Sequence, residues 1–184
     1  PMVLTARPQK YKDPGCRVCF IGPCAAKKLE ASRRSIRSDV DFVLTFEELQ
    51  GMFEAKGVRF EDIPKEEEVS LTEASGAGRG FAVTGGVAKA VVDAIGRMEP
   101  EREVNVVSAE GLDNCRKMLQ LAKAGKYNGY LLEGMACPGG CVAGAGTIQP
   151  IAKTAAAINR YKQTADSQNA MDSKYEMALP DLDE

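Results

Sequence analysis

Six cysteines and no histidine set the chemistry open to this 184-residue chain. Without histidine, Ser-His-Asp and Cys-His catalysis are excluded, as is any mixed Cys/His zinc site. A metal would have to be held by thiolates, which favours zinc or iron-sulfur. Two of the thiols lie in Cys137-Pro-Gly-Gly-Cys141, followed by Val142-Ala-Gly-Ala-Gly146. Gly139 and Gly140 free the backbone to wrap an inorganic group, and their amides can donate to sulfides or other anionic ligands. The alternative is a glycine-rich turn with two incidental cysteines.

Cys24 stands in Gly22-Pro-Cys-Ala-Ala-Lys-Lys28, just after an apolar run. A helix N-terminus and Lys27 or Lys28 would favour its thiolate. A small buried cysteine beside two solvent-facing lysines explains the segment equally well. Cys16 and Cys19 have chelator spacing, and with Cys137 and Cys141 they could be read as a four-thiolate zinc site. If 17–21 is a strand, however, positions three apart point to opposite faces and do not share one metal. Cys19 is therefore expected in the core and Cys16 at an edge. Cys115 falls on the apolar stripe of a helix, where free cysteine is commonly buried.

The elements that must carry these residues alternate between strand and helix. Arg17–Ile21 reads as a strand buried on both faces, from its nearly continuous apolar character. Asp41–Leu44 reads as a second. Thr45 and Glu48 form a capping box for a helix with Phe46, Leu49, Met52 and Phe53 on its apolar face, stopped by Gly57. Residues 58–83 are less regular, with an acidic run at Glu66–Glu68 and a flexible loop over Ser75–Gly80. From Val87 a helical period returns, with Gly85-Gly86 allowing close backbone approach at its start. Glu103–Val107 is a third strand, Leu112 to about Gly125 a helix, and Gly129–Leu132 a fourth strand. This order predicts an α/β fold with a four-stranded, largely parallel sheet flanked by helices. Ligands of such sheets gather at the carboxyl ends of strands, so the loops of Cys24 and Cys137 are expected at one edge.

Composition narrows the rest. A 44% hydrophobic fraction supports one ordinary core, with 6% aromatic residues and no tryptophan. The net charge of −2 comes from interspersed charges, which argues against nucleic acid. No apolar run approaches the roughly 20 residues that span a bilayer, so no membrane role is expected. No secretory pattern is visible, so a cytoplasmic location and metal or redox use of the cysteines are expected. Pro1-Met2 is not a natural start, which suggests a cut within a longer protein.

Several segments together resemble the iron-only (FeFe) hydrogenase family. Gly22-Pro-Cys-Ala-Ala-Lys-Lys-Leu-Glu30 is similar to its second cysteine signature, usually Met-Pro-Cys-x-x-Lys-Lys-x-Glu. Glu133-Gly-Met-Ala-Cys-Pro-Gly-Gly-Cys-Val-Ala-Gly-Ala-Gly146 is similar to the third. Asp39–Thr45 with Glu48-Leu49, Ser75–Gly78 and Phe81–Val87 fall between them in the family's order. The resemblance covers roughly residues 15 to 150, as part of the family's two-lobed catalytic domain. It implies an H-cluster, a four-iron cubane joined through one cysteine to a two-iron unit carrying CO, cyanide and a dithiolate.

Carried over, Cys24, Cys137 and Cys141 would ligate the cubane, Cys141 also bridging to the two-iron unit. Pro23, Gly139 and Gly140 would line the cofactor. Lys27 would donate to a cyanide and Met135 would pack against the two-iron unit, the two positions nearest the chemistry. The implied partners are ferredoxin or another electron carrier, and the upstream part of the same chain. Residues 1–150 would be a partial cluster-binding domain, and 151–184 a helix and polar tail.

The departures are equally definite. The first signature, with the fourth cubane cysteine and the proton-relay position, is absent. Gly22 stands where catalytic members usually have Met. With the relaxed Val142–Gly146 run, this looks like divergent or sensory members. Three functions compete: reversible proton reduction in the parent; a non-catalytic H-cluster-domain protein acting as a redox or hydrogen sensor or iron-sulfur assembly factor; and a zinc-thiolate structural protein. This piece alone is expected to be apo and inactive, with Cys137 and Cys141 oxidised or holding adventitious metal.

Overall fold

The structure, a computed structural model, describes residues 2–64 and 73–173. The acidic run Glu66–Glu68 and the polar end 174–184 lie outside the described residues. The described residues divide into two compact units: 2–64 with 144–148, and 73–143 with 149–173.

The first unit begins with α1 (Met2–Lys12), which the sequence did not suggest. Pro8 inside it removes an N–H donor and ordinarily argues against a helix interior. Tertiary packing compensates: Met2 and Ala6 are buried with Val40, against Val18, Phe20 and Val43. Strands β1 (Cys19–Gly22) and β2 (Phe42–Thr45) pair in parallel, Cys19 opposite Phe42 and Gly22 opposite Thr45. The crossover contains α2 (Ala26–Ser32). Asp41 secures the base of this sheet. Its carboxylate accepts from the Val18 amide at 2.7 Å and pairs with Lys10 at 2.7 Å and Arg17 at 3.0 Å. The Lys10 ammonium first, then the Val18 amide and Arg17, hold its pKa well below the usual carboxylate range.

Strand β2 runs into α3 (Phe46–Ala55) without a loop. Thr45 ends the strand and caps the helix, and the expected capping box with Glu48 is present in both directions. Glu48 also takes Lys28 on both oxygens at 2.8 Å, so one carboxylate ties α2 to α3. Lys28 and the Thr45 amide lower its pKa. Gly57, at φ +68°, follows the helix as expected.

The second unit opens with a correction. Ser75–Gly80 is not a flexible loop but the short helix α4 (Gly76–Arg79), N-capped by the Ser75 hydroxyl. A 3-10 turn over Gly80–Ala82 follows. Arg79 is buried here; its guanidinium donates to the carbonyls of Ala74 and Tyr161 and to Thr164 Oγ1, and lies 4.0 Å over the Tyr161 ring. Helix α5 (Gly86–Met98) starts against that turn, and a Cβ on Gly86 would stand 1.9 Å from the Gly80 carbonyl oxygen. Gly85-Gly86 are thus a close-approach pair, as expected. Strands β3 (Val106–Glu110) and β4 (Leu131–Met135) pair in parallel across α6 (Leu112–Lys123). Helix α7 (Ile151–Gln163) completes the unit.

The fold is α/β with parallel strands, but the four strands do not make one sheet. They form two separate two-stranded sheets, β1-β2 and β3-β4. Strand–helix alternation specifies parallel crossovers and leaves open which crossovers share a sheet. The expectation that β1 is buried on both faces also fails: Cys19 is exposed and Ile21 is 43% exposed. A two-stranded sheet has too little area around it to cover both faces. Cys19 lines an open apolar hollow of about 260 Å³ with Met2, Ala6 and Phe20, so it is not a core residue.

Candidate functional site: two cysteine loops

In the first unit, Cys24 follows the end of β1 by two residues and is half-buried. Its carbonyl accepts from the Lys27 amide at 3.2 Å, which winds the chain into α2. Lys27 is not a free ammonium: it is ion-paired with Glu30 one turn on, so two residues of the same segment hold each other. The Pro23 carbonyl accepts from the Gly146 amide at 3.0 Å, and the Gly146 carbonyl in turn accepts from the Glu47 amide at 3.2 Å. A Cβ on Gly146 would lie 2.3 Å from Thr45 Cβ. The Val142–Gly146 run thus ends in a glycine required by the cap of α3.

In the second unit, Cys137 follows β4 by two residues, closer than the five expected, because β4 extends to Met135. The loop folds back on itself: the Gly140 amide donates to the Cys137 carbonyl and the Ala143 amide to the Gly140 carbonyl, each at 3.0 Å. Gly139 and Gly140 adopt φ of +95° and +88°, a conformation that costs other residues strain. Gly140 has a second reason to be glycine, because a Cβ there would stand 2.7 Å from the Thr84 amide nitrogen and 2.8 Å from the Ala82 oxygen. Cys137 is half-buried, Cys141 exposed at the start of a 3-10 turn, and all six cysteines are unbridged.

Met135 is half-buried at the end of β4, and its carbonyl receives the Gly111 amide at 2.9 Å. Cys115 reaches the carbonyls of Ala109 and Met135 at 3.4 and 3.6 Å, and Gly134 leaves it room, a Cβ there lying 3.3 Å from its sulfur. Cys115 therefore packs on β3 and β4, half-buried rather than in the core as expected. Cys16 is half-buried in the segment leading to β1.

Three positions supporting the cysteine loop were not singled out from the sequence. Glu110, at the end of β3, accepts from the Gly139 amide at 3.1 Å. Glu133 is buried in β4, and its carboxylate accepts from the amides of Gly85 at 2.6 Å and Ala88 at 3.0 Å and from Ser108 Oγ at 3.1 Å. It thereby occupies the N-terminus of α5 with negative charge, where the helix dipole favours it. The signal was present: a carboxylate inside Leu131-Leu132-Glu133-Gly134-Met135 must find donors if the strand is buried. The third is Thr84, whose backbone walls Gly140 and whose Oγ1 is buried without a hydrogen-bond partner among the described residues.

Among the described residues no group of three or more Cys, Asp or Glu side chains is gathered as a ready metal site. Cys24 belongs to one unit, and Cys137 with Cys141 to the other. Within the second unit the donor set does suit a sulfur-ligated group. Two unbridged thiols flank a turn in which a Cβ is excluded, and an unsatisfied hydroxyl belongs to the residue behind it.

The sequence profile described as "Iron only hydrogenase large subunit, C-terminal domain" matches residues 1–145. The periplasmic Fe hydrogenase large subunit of Nitratidesulfovibrio vulgaris is 31% identical over 177 residues, covering 79% of this chain and 42% of that protein. Cytosolic iron-sulfur assembly component 3 of Pongo abelii is 28% identical over 163 residues, 69% of this chain and 34% of that protein. A solved FeFe-hydrogenase from Chlamydomonas reinhardtii superposes with a TM-score of 0.59 at 20% identity, over 98% of this chain and 62% of that one. The chain thus spans less than half the length of the two curated relatives. No helix among the described residues is long and apolar enough to cross a membrane. The two cysteine signatures, the α/β fold and the match over residues 1–145 agree: this chain belongs to the iron-only hydrogenase family, within the C-terminal domain of its large subunit.

Proposed function

We propose that this chain is the part of an iron-only hydrogenase catalytic domain that holds an H-cluster, with reversible reduction of protons to hydrogen as the activity of the whole protein. The observation that carries this reading is the Cys137–Cys141 loop: two unbridged thiols on a turn of two consecutive positive-φ glycines. Cys24, Cys137 and Cys141 would hold the cluster as thiolate ligands, Cys141 being the thiolate that would be shared with its two-iron unit. The cluster, when bound, supplies the redox chemistry on protons. Gly139 and Gly140 keep the loop free of Cβ atoms, and Glu110 fixes the loop through the Gly139 amide. Lys27, held in an ion pair by Glu30, would donate to a cofactor cyanide. Pro23 would line the cofactor, and Met135 would pack against the two-iron unit. Residues 1–150 carry this function and 151–184 append a helix and tail.

Three thiolates fall one short of a cubane's usual four, so residues 1–184 by themselves do not evolve hydrogen. The fourth ligand comes from another part of the protein, and electrons from a ferredoxin-type carrier in the cytoplasm. The assembly-factor relative supports a second reading, a non-catalytic cluster protein. Gly22 in place of the usual Met favours it as well.

Infrared spectroscopy of the full-length protein after anaerobic maturation separates the two. CO and cyanide stretches that disappear in Cys141→Ser support the hydrogenase reading. Iron and acid-labile sulfide without those stretches favour the assembly or sensory reading. Zinc without iron overturns both.

A further inference from the structure

We infer that Thr84 is a positioning residue for the group anchored by Cys137 and Cys141, its hydroxyl donating a hydrogen bond to a cluster sulfur. This rests on the iron-sulfur reading above and extends it to a residue outside the cysteine signatures.

The polar groups that neighbour Thr84 in its turn are matched. The Val83 amide donates to the Gly80 carbonyl at 3.2 Å, and the Gly86 amide to the Val83 carbonyl at 3.0 Å. The Gly85 and Ala88 amides are taken by the Glu133 carboxylate. Thr84 Oγ1 is left buried with no hydrogen-bond partner among the described residues. Native folds rarely tolerate such an orphan, since a hydroxyl out of water loses its bonds without replacement. A valine would fill the same space without that cost.

The position of the orphan supplies the reason for keeping it. Thr84 backs the turn between the two thiols, its amide nitrogen 2.7 Å from where a Gly140 Cβ would be. The 3-10 turns Gly80–Ala82 and Cys141–Ala143 pack on each other, which fixes the two loops together within this unit. The main chain of Thr84 lies against Gly140, which falls between Cys137 and Cys141, and a buried donor without an acceptor on that residue fits a ligand rich in acceptors and devoid of donors. Cluster sulfide and thiolate sulfur are such acceptors. A hydrogen bond to them stabilises the more negative, reduced state and raises the reduction potential.

The test uses Thr84→Val and Thr84→Ser in the full-length protein, loaded anaerobically with iron and sulfide. Potentiometric titration followed by electron paramagnetic resonance is the first readout. Thr84→Val is expected to lower the cluster's midpoint potential, by about tenfold in the one-electron equilibrium or about 59 mV, and Thr84→Ser to restore it. Urea unfolding of the apoprotein is the second readout. Valine is expected to leave apoprotein stability unchanged or raised, because no bond within the fold is lost. An unchanged potential in a loaded Thr84→Val protein overturns the inference and assigns the hydroxyl to an ordered water. Loss of apoprotein stability in Thr84→Val, recovered in Thr84→Ser, also overturns it by placing the partner within the protein. Failure of the wild type to take up iron and sulfide overturns the iron-sulfur reading itself, and this inference with it.

Discussion

Alanine at Gly140 separates two reasons for a glycine that are usually confounded. The residue has φ +88°, and left-handed backbone costs a non-glycine residue about 1–2 kcal/mol. Its Cβ would also stand 2.7 Å from the Thr84 nitrogen and 2.8 Å from the Ala82 oxygen, which are main-chain atoms with little room to yield. Overpacking of that kind costs about 1–3 kcal/mol, so Gly140→Ala should lose about 2–5 kcal/mol in all. Gly139 is the internal comparison. Its φ of +95° carries the same backbone cost, but its closest Cβ contact would be Ile151 Cγ2, a side-chain atom, at 3.3 Å. Gly139→Ala should therefore lose about 1–2 kcal/mol. Gly51 lies inside α3 with nothing within 4 Å of its Cβ position, and Gly51→Ala should gain about 0.5–1 kcal/mol. Urea unfolding of the anaerobic apoprotein, followed by circular dichroism, gives all three differences. Equal losses at Gly139 and Gly140 would refute the packing of the cysteine loop against Thr84 and leave only the backbone conformation.

Two further outcomes follow from the buried and paired carboxylates. Glu133→Gln puts an amide where three donors converge, and should cost about 1.5–3 kcal/mol in the same urea assay; a neutral result would mean that the carboxylate does not hold the start of α5. For Asp41, pairing depresses the pKa in the folded state, so its contribution is complete above the unfolded value near ~3.9 and is lost as pH falls through the folded one. Thermal unfolding between about pH 5 and pH 2 should therefore show a shallower acid decline for Asp41→Asn than for the wild type. Glu48, lowered by Lys28, and Asp172, lowered by its ion pair with Arg97, retain part of the slope. Parallel curves would place the stabilising effect elsewhere.

Local chemistry was legible wherever a short segment contains both halves of an interaction. Thr45 and Glu48, three residues apart, declare a capping box whatever surrounds them. Gly85-Gly86 and Gly57 declare backbone that side chains resist. The helical periods after Val87 and Leu112 declared α5 and α6, and the two cysteine signatures declared the family. Strand ends were displaced, by three residues at the start of β3, because pairing with β4 begins only at Val106, opposite Leu131, and the partner's register is not written in the strand's own residues.

Everything that depends on a distant partner was decided by the tertiary structure. Pro8 argues locally against α1, yet burial of Met2 and Ala6 outweighs it. Ser75–Gly80 has loop composition, yet Arg79 finds Ala74, Tyr161 and Thr164 and fixes a helix there. The four strands were expected in one sheet and form two, since strand order is a pairing of remote segments that no periodicity encodes. Residue types alone nominated Cys137 and Cys141. The fold supplied what stands behind them: Glu110 on the Gly139 amide, Glu133 on α5, and Thr84 against Gly140. A sequence records which groups can react, but the donors and walls that orient them come from segments tens of residues away.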